Sequence, residues 1–73
     1  MQLVETDQGY RTKMAKFKSL ALNNRAIAKY LQDDNRGAYQ DFNLALSLHK
    51  SAMIRSNQQQ FTHQVLAQTL EQN

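Results

Sequence analysis

The scarcity of chain-breaking residues is the feature that most limits what this chain can fold into. Its 73 residues include no proline, and glycine occurs only at Gly9 and Gly37. Proline and glycine interrupt helices and strands, so their near absence favours long continuous elements. Alanine, leucine, glutamine and lysine are abundant, and all four are good helix formers. Because β-branched and aromatic residues do not cluster in alternating runs, the sequence predicts an all-α fold.

A regular row of residues marks the first predicted helix, which covers about residues 7–32. The members of this row recur in steps of four and three, and we call them the heptad stripe: Tyr10, Met14, Phe17, Ala21, Asn24, Ala28 and Leu31. Leu20 and Ile27 widen the same face. Such spacing is typical of an amphipathic helix, so we expect the stripe to be buried against the rest of the fold.

Two polar segments divide the remainder of the chain. Asp33–Gly37 contains no apolar side chain and predicts a tight turn. Helix 2 should then cover about residues 35–55 and lie antiparallel to helix 1, because the link is short. Ser56–Gln60 predicts a second break, since Ser56 and Gln59 can form a capping box. In the alternative, helix 2 continues through this segment.

The third predicted helix covers about residues 57–71. Its expected buried side chains are spaced as on one helix face: Phe61, Val65, Leu66 and Leu70. Residues 1–73 are therefore predicted to form a single domain, an antiparallel helical hairpin followed by a third C-terminal helix. A domain of this size buries only about 60% of the surface that its unfolded chain exposes, so a partner would add stability.

The segment 23–48 reads NNRAIAKYLQDDNRGAYQDFNLALSL. It resembles a tetratricopeptide repeat, and the 34-residue repeat fits residues 19–52 without a gap. The small and aromatic positions of the repeat fall on four residues: Ala26, Ala38, Phe42 and Ala45. Asp33 stands where the family usually has glycine, and Lys50 replaces its closing proline. The rest of the chain does not repeat the pattern.

The resemblance implies a protein–protein interaction or adaptor module, arranged as a three-helix bundle or like a tetratricopeptide repeat. It also implies partner contacts on the inner face of the first helix, through Asn23, Asn24, Ile27 and Tyr30. One repeat cannot bury its own apolar faces, so we expect the chain to self-associate into a homo-oligomer. We further expect the side chain of Ala26 to lie against helix 2.

The charge pattern suggests a second class of function. From Gln8 to Gln32 the chain has no acidic residue, although its net charge is only +3. A small nucleic-acid-binding regulator could use four bases of helix 1: Arg11, Lys18, Arg25 and Lys29. A solvated helix face explains the same residues. Binding to a membrane surface ranks third, because the apolar face of helix 1 is expected to serve the core.

No set of residues predicts catalysis or a cofactor. His49 and His63 are far apart in sequence and have no carboxylate nearby, so they do not form a metal-ligand pattern. The chain contains no cysteine, which excludes a disulfide. It has no recognisable signal peptide and no apolar stretch long enough to span a membrane. We therefore expect a cytoplasmic, non-enzymatic protein that binds no small-molecule substrate.

Overall fold

The computed structural model describes the backbone of residues 3–72 and the side chains of residues 8–69. Within this part of the chain the fold consists of three α-helices, α1 (Leu3–Leu31), α2 (Asn35–Leu48) and α3 (Ala52–Gln72). The predicted all-α fold, a hairpin followed by a third helix, is confirmed. Helix α1 begins at Leu3 rather than near residue 7, because no glycine or proline stops it from extending towards the N-terminus.

The turn between α1 and α2 lies where the polar segment predicts it. Asp33 has a φ of 66°, in the left-handed region that favours glycine. Asp34 then caps α2, because its Oδ1 accepts a hydrogen bond from the backbone N–H of Gly37 at 2.9 Å.

The second break does not lie at Ser56–Gln60, so the predicted boundary between helices 2 and 3 is wrong. Helix α2 ends at Leu48, and His49 is extended, with φ −156° and ψ 120°. Ser51 provides the cap of α3, since its Oγ accepts a hydrogen bond from the N–H of Ile54 at 3.3 Å. The earlier break turns α3 back onto the hairpin, and Ile54 is fully buried there. The free energy gained by burying this side chain outweighs the tendency of residues 49–51 to continue the helix.

A small core joins the three helices. Its fully or nearly buried apolar residues come from all of them: Ala26, Ala38, Phe42, Ala45, Ile54 and Phe61. Helix α2 is antiparallel to α1, and α3 is antiparallel to α2 and therefore parallel to α1. Val65 is partly buried at the edge of this core, whereas Leu66 is exposed, contrary to prediction. The side chain of Leu70 lies outside the described residues.

The contact between α1 and α2 depends on small residues. Ala26 is 0% exposed and belongs to the same core cluster as Ala38, Phe42 and Ala45 of α2. The expected position of Ala26 is therefore confirmed. Small side chains let the two helices approach closely, and a larger one would force them apart.

We expect Ala26→Leu to lower the free energy of unfolding by about 1–3 kcal/mol through overpacking. Urea unfolding followed by circular dichroism measures this change. Ala67→Leu is the matched control, because Ala67 is an exposed residue of α3 that lies away from the heptad stripe. Equal stability of the two variants would contradict the close contact at Ala26.

Candidate protein-binding surface

An ion cluster fixes which side of α1 faces α2. The carboxylate of Asp41 is only 2% exposed and accepts two hydrogen bonds from Arg25, Nε to Oδ2 at 2.7 Å and Nη2 to Oδ1 at 2.9 Å. Lys29 Nζ lies 3.2 Å from the same Oδ2. The bidentate hydrogen bonding of Arg25 lowers the pKa of Asp41, and it outweighs burial, which acts in the opposite direction. The cluster therefore ties one flank of α1 to α2.

Two polar contacts and one ring contact attach α3 to the other flank of α1. Asn57 Nδ2 donates to Asn23 Oδ1 at 3.1 Å, and Gln68 Nε2 donates to Tyr30 Oη at 3.4 Å. The ring of Tyr30 meets Phe61 edge to face, with ring centres 5.5 Å apart. Asn23 is buried and Tyr30 is half-buried. These two predicted partner-binding residues therefore serve the fold itself.

The predicted burial of the heptad stripe is wrong, because its side chains face solvent. Tyr10 and Phe17 are each 63% exposed, and Leu31 is 75% exposed. The remaining four members are also exposed: Met14, Ala21, Asn24 and Ala28. The stripe consequently forms a row of exposed side chains along the outer side of α1.

The face of α1 that is buried carries small and polar residues instead. Ser19, Asn23 and Ala26 are buried there, opposite the stripe, since Phe17 and Ala26 point in opposite directions at about 100° per residue. An amphipathic pattern identifies the most hydrophobic face of a helix. The contact between α1 and α2 depends instead on the close approach of small residues and on the ion cluster. No sequence pattern predicts the cluster, because pairing Arg25 with Asp41 requires the register between the helices.

A shallow groove runs between α1 and α3, beside the stripe. It has a volume of about 350 Å³, with Ile27, Tyr30, Phe42 and Phe61 forming its apolar part. Three amide side chains complete its lining: Asn57, Gln60 and Gln64. Of the four predicted partner-binding residues, Asn24 and Ile27 thus remain accessible, Asn24 on the stripe and Ile27 where the groove meets it.

The four bases of the nucleic-acid hypothesis do not act as one set. Arg25 and Lys29 pair with Asp41, whereas Arg11 and Lys18 are exposed on the long helix. Among the described residues there is no group of three or more histidine or acidic side chains able to hold a metal ion. No helix in this part of the chain combines the length and apolarity that crossing a bilayer requires.

Comparison with protein-family models, curated proteins and solved structures gave no match for the chain.

Proposed function

We propose that this chain is a non-catalytic, cytoplasmic protein–protein interaction module whose binding surface is the outer face of α1. The observation that carries the proposal is the exposure of the heptad stripe. Tyr10, Phe17 and Leu31 remain exposed, although the stripe has the spacing of a helix–helix seam. Contiguous apolar surface of this kind marks interaction sites in proteins that fold as independent units.

The hairpin is suited to present such a surface. Small residues bring α1 and α2 together, and the Asp41 cluster locks their register, so α1 is held rigid along the segment that α2 covers. A rigid helix loses little conformational entropy when a partner binds it. The likeness to a tetratricopeptide repeat supports the same function, since Asn24 and Ile27 lie on or beside the stripe.

The competing functions have weaker support. Nucleic-acid binding loses two of its four bases to the ion pairs with Asp41. The core does not use the stripe, so the stripe is accessible to a membrane surface. The small and polar residues Ala21, Asn24 and Ala28 nevertheless interrupt the large apolar side chains, and this suits a partner helix better than a lipid bilayer.

Site-specific photo-crosslinking in the native cell tests the proposal. A photoreactive side chain replaces Phe17 in the full chain, and mass spectrometry identifies what it captures. We expect protein adducts, formed with a second copy or with another protein. The control places the same group at Tyr39 of α2, which is 52% exposed and lies away from the stripe. Adducts with lipid or nucleic acid alone, or equal protein adducts at both positions, would contradict the proposal.

A further inference from the structure

We propose that two copies of this chain pair through their heptad stripes, with their α1 helices antiparallel. This inference rests on the proposed function, because it names the partner that covers the same surface. It goes further by fixing the direction of the two helices and the residues that meet.

The distribution of side-chain size along the stripe points to this arrangement. The large residues Tyr10, Met14 and Phe17 occupy its N-terminal half, and small residues occupy the middle of its C-terminal half. A parallel pair would set large residues against large ones and small against small. An antiparallel pair reverses one copy, so that large side chains of one stripe meet small side chains of the other.

One register makes this match complete over three layers. Phe17 lies opposite Ala21 of the second copy, Met14 opposite Asn24, and Tyr10 opposite Ala28. The same contacts recur on the other side of the two-fold axis, as an isologous dimer requires. Interiors and interfaces need this alternation of large and small side chains to reach native packing density.

The stripe offers enough apolar surface for a small, reversible dimer interface. The layers from Tyr10 to Ala28 contain five large apolar side chains on or beside the stripe, whereas Leu31 lies beyond the matched layers. If a large apolar side chain offers about 200 Å², the exposed fractions of these five leave roughly 500 Å² per copy. A standard interface covers about 800 Å² per partner, and the alanines and Asn24 supply part of the difference.

One flank of the stripe carries apolar residues and the other carries bases. The basic flank gives self-pairing a distinctive salt dependence. On the apolar flank Leu20 meets Leu20 of the second copy, whereas Ile27 lies beside Lys13 of the second copy. On the other flank Lys18 lies close to Lys18 of the second copy, and the nearby Arg25 is paired with Asp41. Because like charges face each other, added salt should tighten the dimer. Binding to an acidic helix, a nucleic acid or an anionic membrane would weaken instead.

Sedimentation equilibrium of the full chain over a range of concentrations tests the pairing. We expect a monomer–dimer equilibrium that tightens with sodium chloride. Phe17→Glu should raise the dissociation constant by at least about 30-fold, since it puts a charge at the centre of the seam. Tyr39→Glu, on the exposed side of α2, should leave it unchanged. Circular dichroism verifies that both variants remain folded.

Cross-linking tests the direction of the helices, and the absence of native cysteine makes it specific. A mixture of Tyr10→Cys and Ala28→Cys chains should form heterodimers with a short bis-maleimide. Tyr10→Cys alone should not, because antiparallel pairing separates the two copies of this residue by about 27 Å along the helix.

Three results would overturn the inference. They are a monomer at every concentration, a dimer insensitive to Phe17→Glu, and self-crosslinking of Tyr10→Cys as strong as that of the mixture. If the chain is monomeric but photo-crosslinking at Phe17 captures another protein, the inference fails and the proposed function stands. If no protein is captured at Phe17 and no dimer forms, both fail.

Discussion

Phe42→Ala should lower the free energy of unfolding by about 3–5 kcal/mol, which is the usual cost of deleting a buried aromatic side chain. Phe42 is 1% exposed, and its ring centre lies 5.4 Å from that of Phe61. It therefore connects the hairpin to α3. A domain of this length has a total stability of only about 4–11 kcal/mol, so the variant should lose a large share of its stability.

Urea unfolding at micromolar concentration measures the loss as a lower midpoint. Tyr39→Ala is the matched control, because Tyr39 is an aromatic residue of the same helix that is half-exposed. We expect it to change the stability by less than about 1 kcal/mol. Both variants keep the heptad stripe, so any contribution from self-association is common to them. Similar losses in the two variants would show that the core does not depend on Phe42.

A second readout follows from the position of Phe42 between the helices. Because Phe61 packs on it, the backbone amides of α3 should lose protection from hydrogen exchange before those of α1 and α2. Uniform loss of protection in all three helices would instead indicate that the domain unfolds as one unit.

The sequence predicted the parts of the fold that local chemistry determines. Without proline, and with only two glycines, long helices were the main option, and the polar run around Asp34 left one clear place for the first turn. The second break was placed wrongly because Ser51 and Ser56 are equally good caps in isolation. Burial of Ile54 decides between them, and this is a tertiary effect that a local pattern does not contain.

The candidate site was harder to predict, for a related reason. The spacing of the heptad stripe predicts an amphipathic helix whose apolar face is buried, and the assignment of this face to the core is wrong. Helix α1 has two faces that can pack, and hydrophobicity favours the stripe, whereas small residues such as Ala26 favour the other. The repeat-like pattern predicts partner contacts at Asn23 and Tyr30, but α3 covers both residues. A sequence pattern shows that a face can pack without showing what packs on it.

The Asp41 cluster should be the most costly polar contact to break from one side. Arg25→Met combined with Lys29→Met leaves the Asp41 carboxylate buried without a cationic partner. We expect a clear loss of stability at neutral pH, because the buried carboxylate loses its compensating cations. Lys16→Met with Arg55→Met removes the same net charge from exposed positions and should change the stability little.

The dependence on pH distinguishes this mechanism from a general loss of packing. In the native chain the pKa of Asp41 is lowered from its ordinary value of 3.8, so the cluster stabilises the fold above that value. This contribution is lost as the pH falls towards the lowered pKa. Once both cations are removed, the burial of Asp41 remains and raises its pKa. The contribution of Asp41 to stability then changes with pH in the opposite direction. The folded variant then takes up a proton more readily than the unfolded chain and regains stability on acidification.

The stability difference between the variant and the native chain should therefore shrink as the pH falls towards the ordinary carboxyl pKa of 3.8, because Asp41 of the variant becomes protonated first. Unfolding free energies measured at several pH values give this difference directly, and titrations common to both chains cancel. The control pair should show a small difference that does not change with pH. A constant difference for the Arg25 and Lys29 variant would mean that the lost methylene packing of these side chains, rather than the stranded carboxylate, destabilises the hairpin.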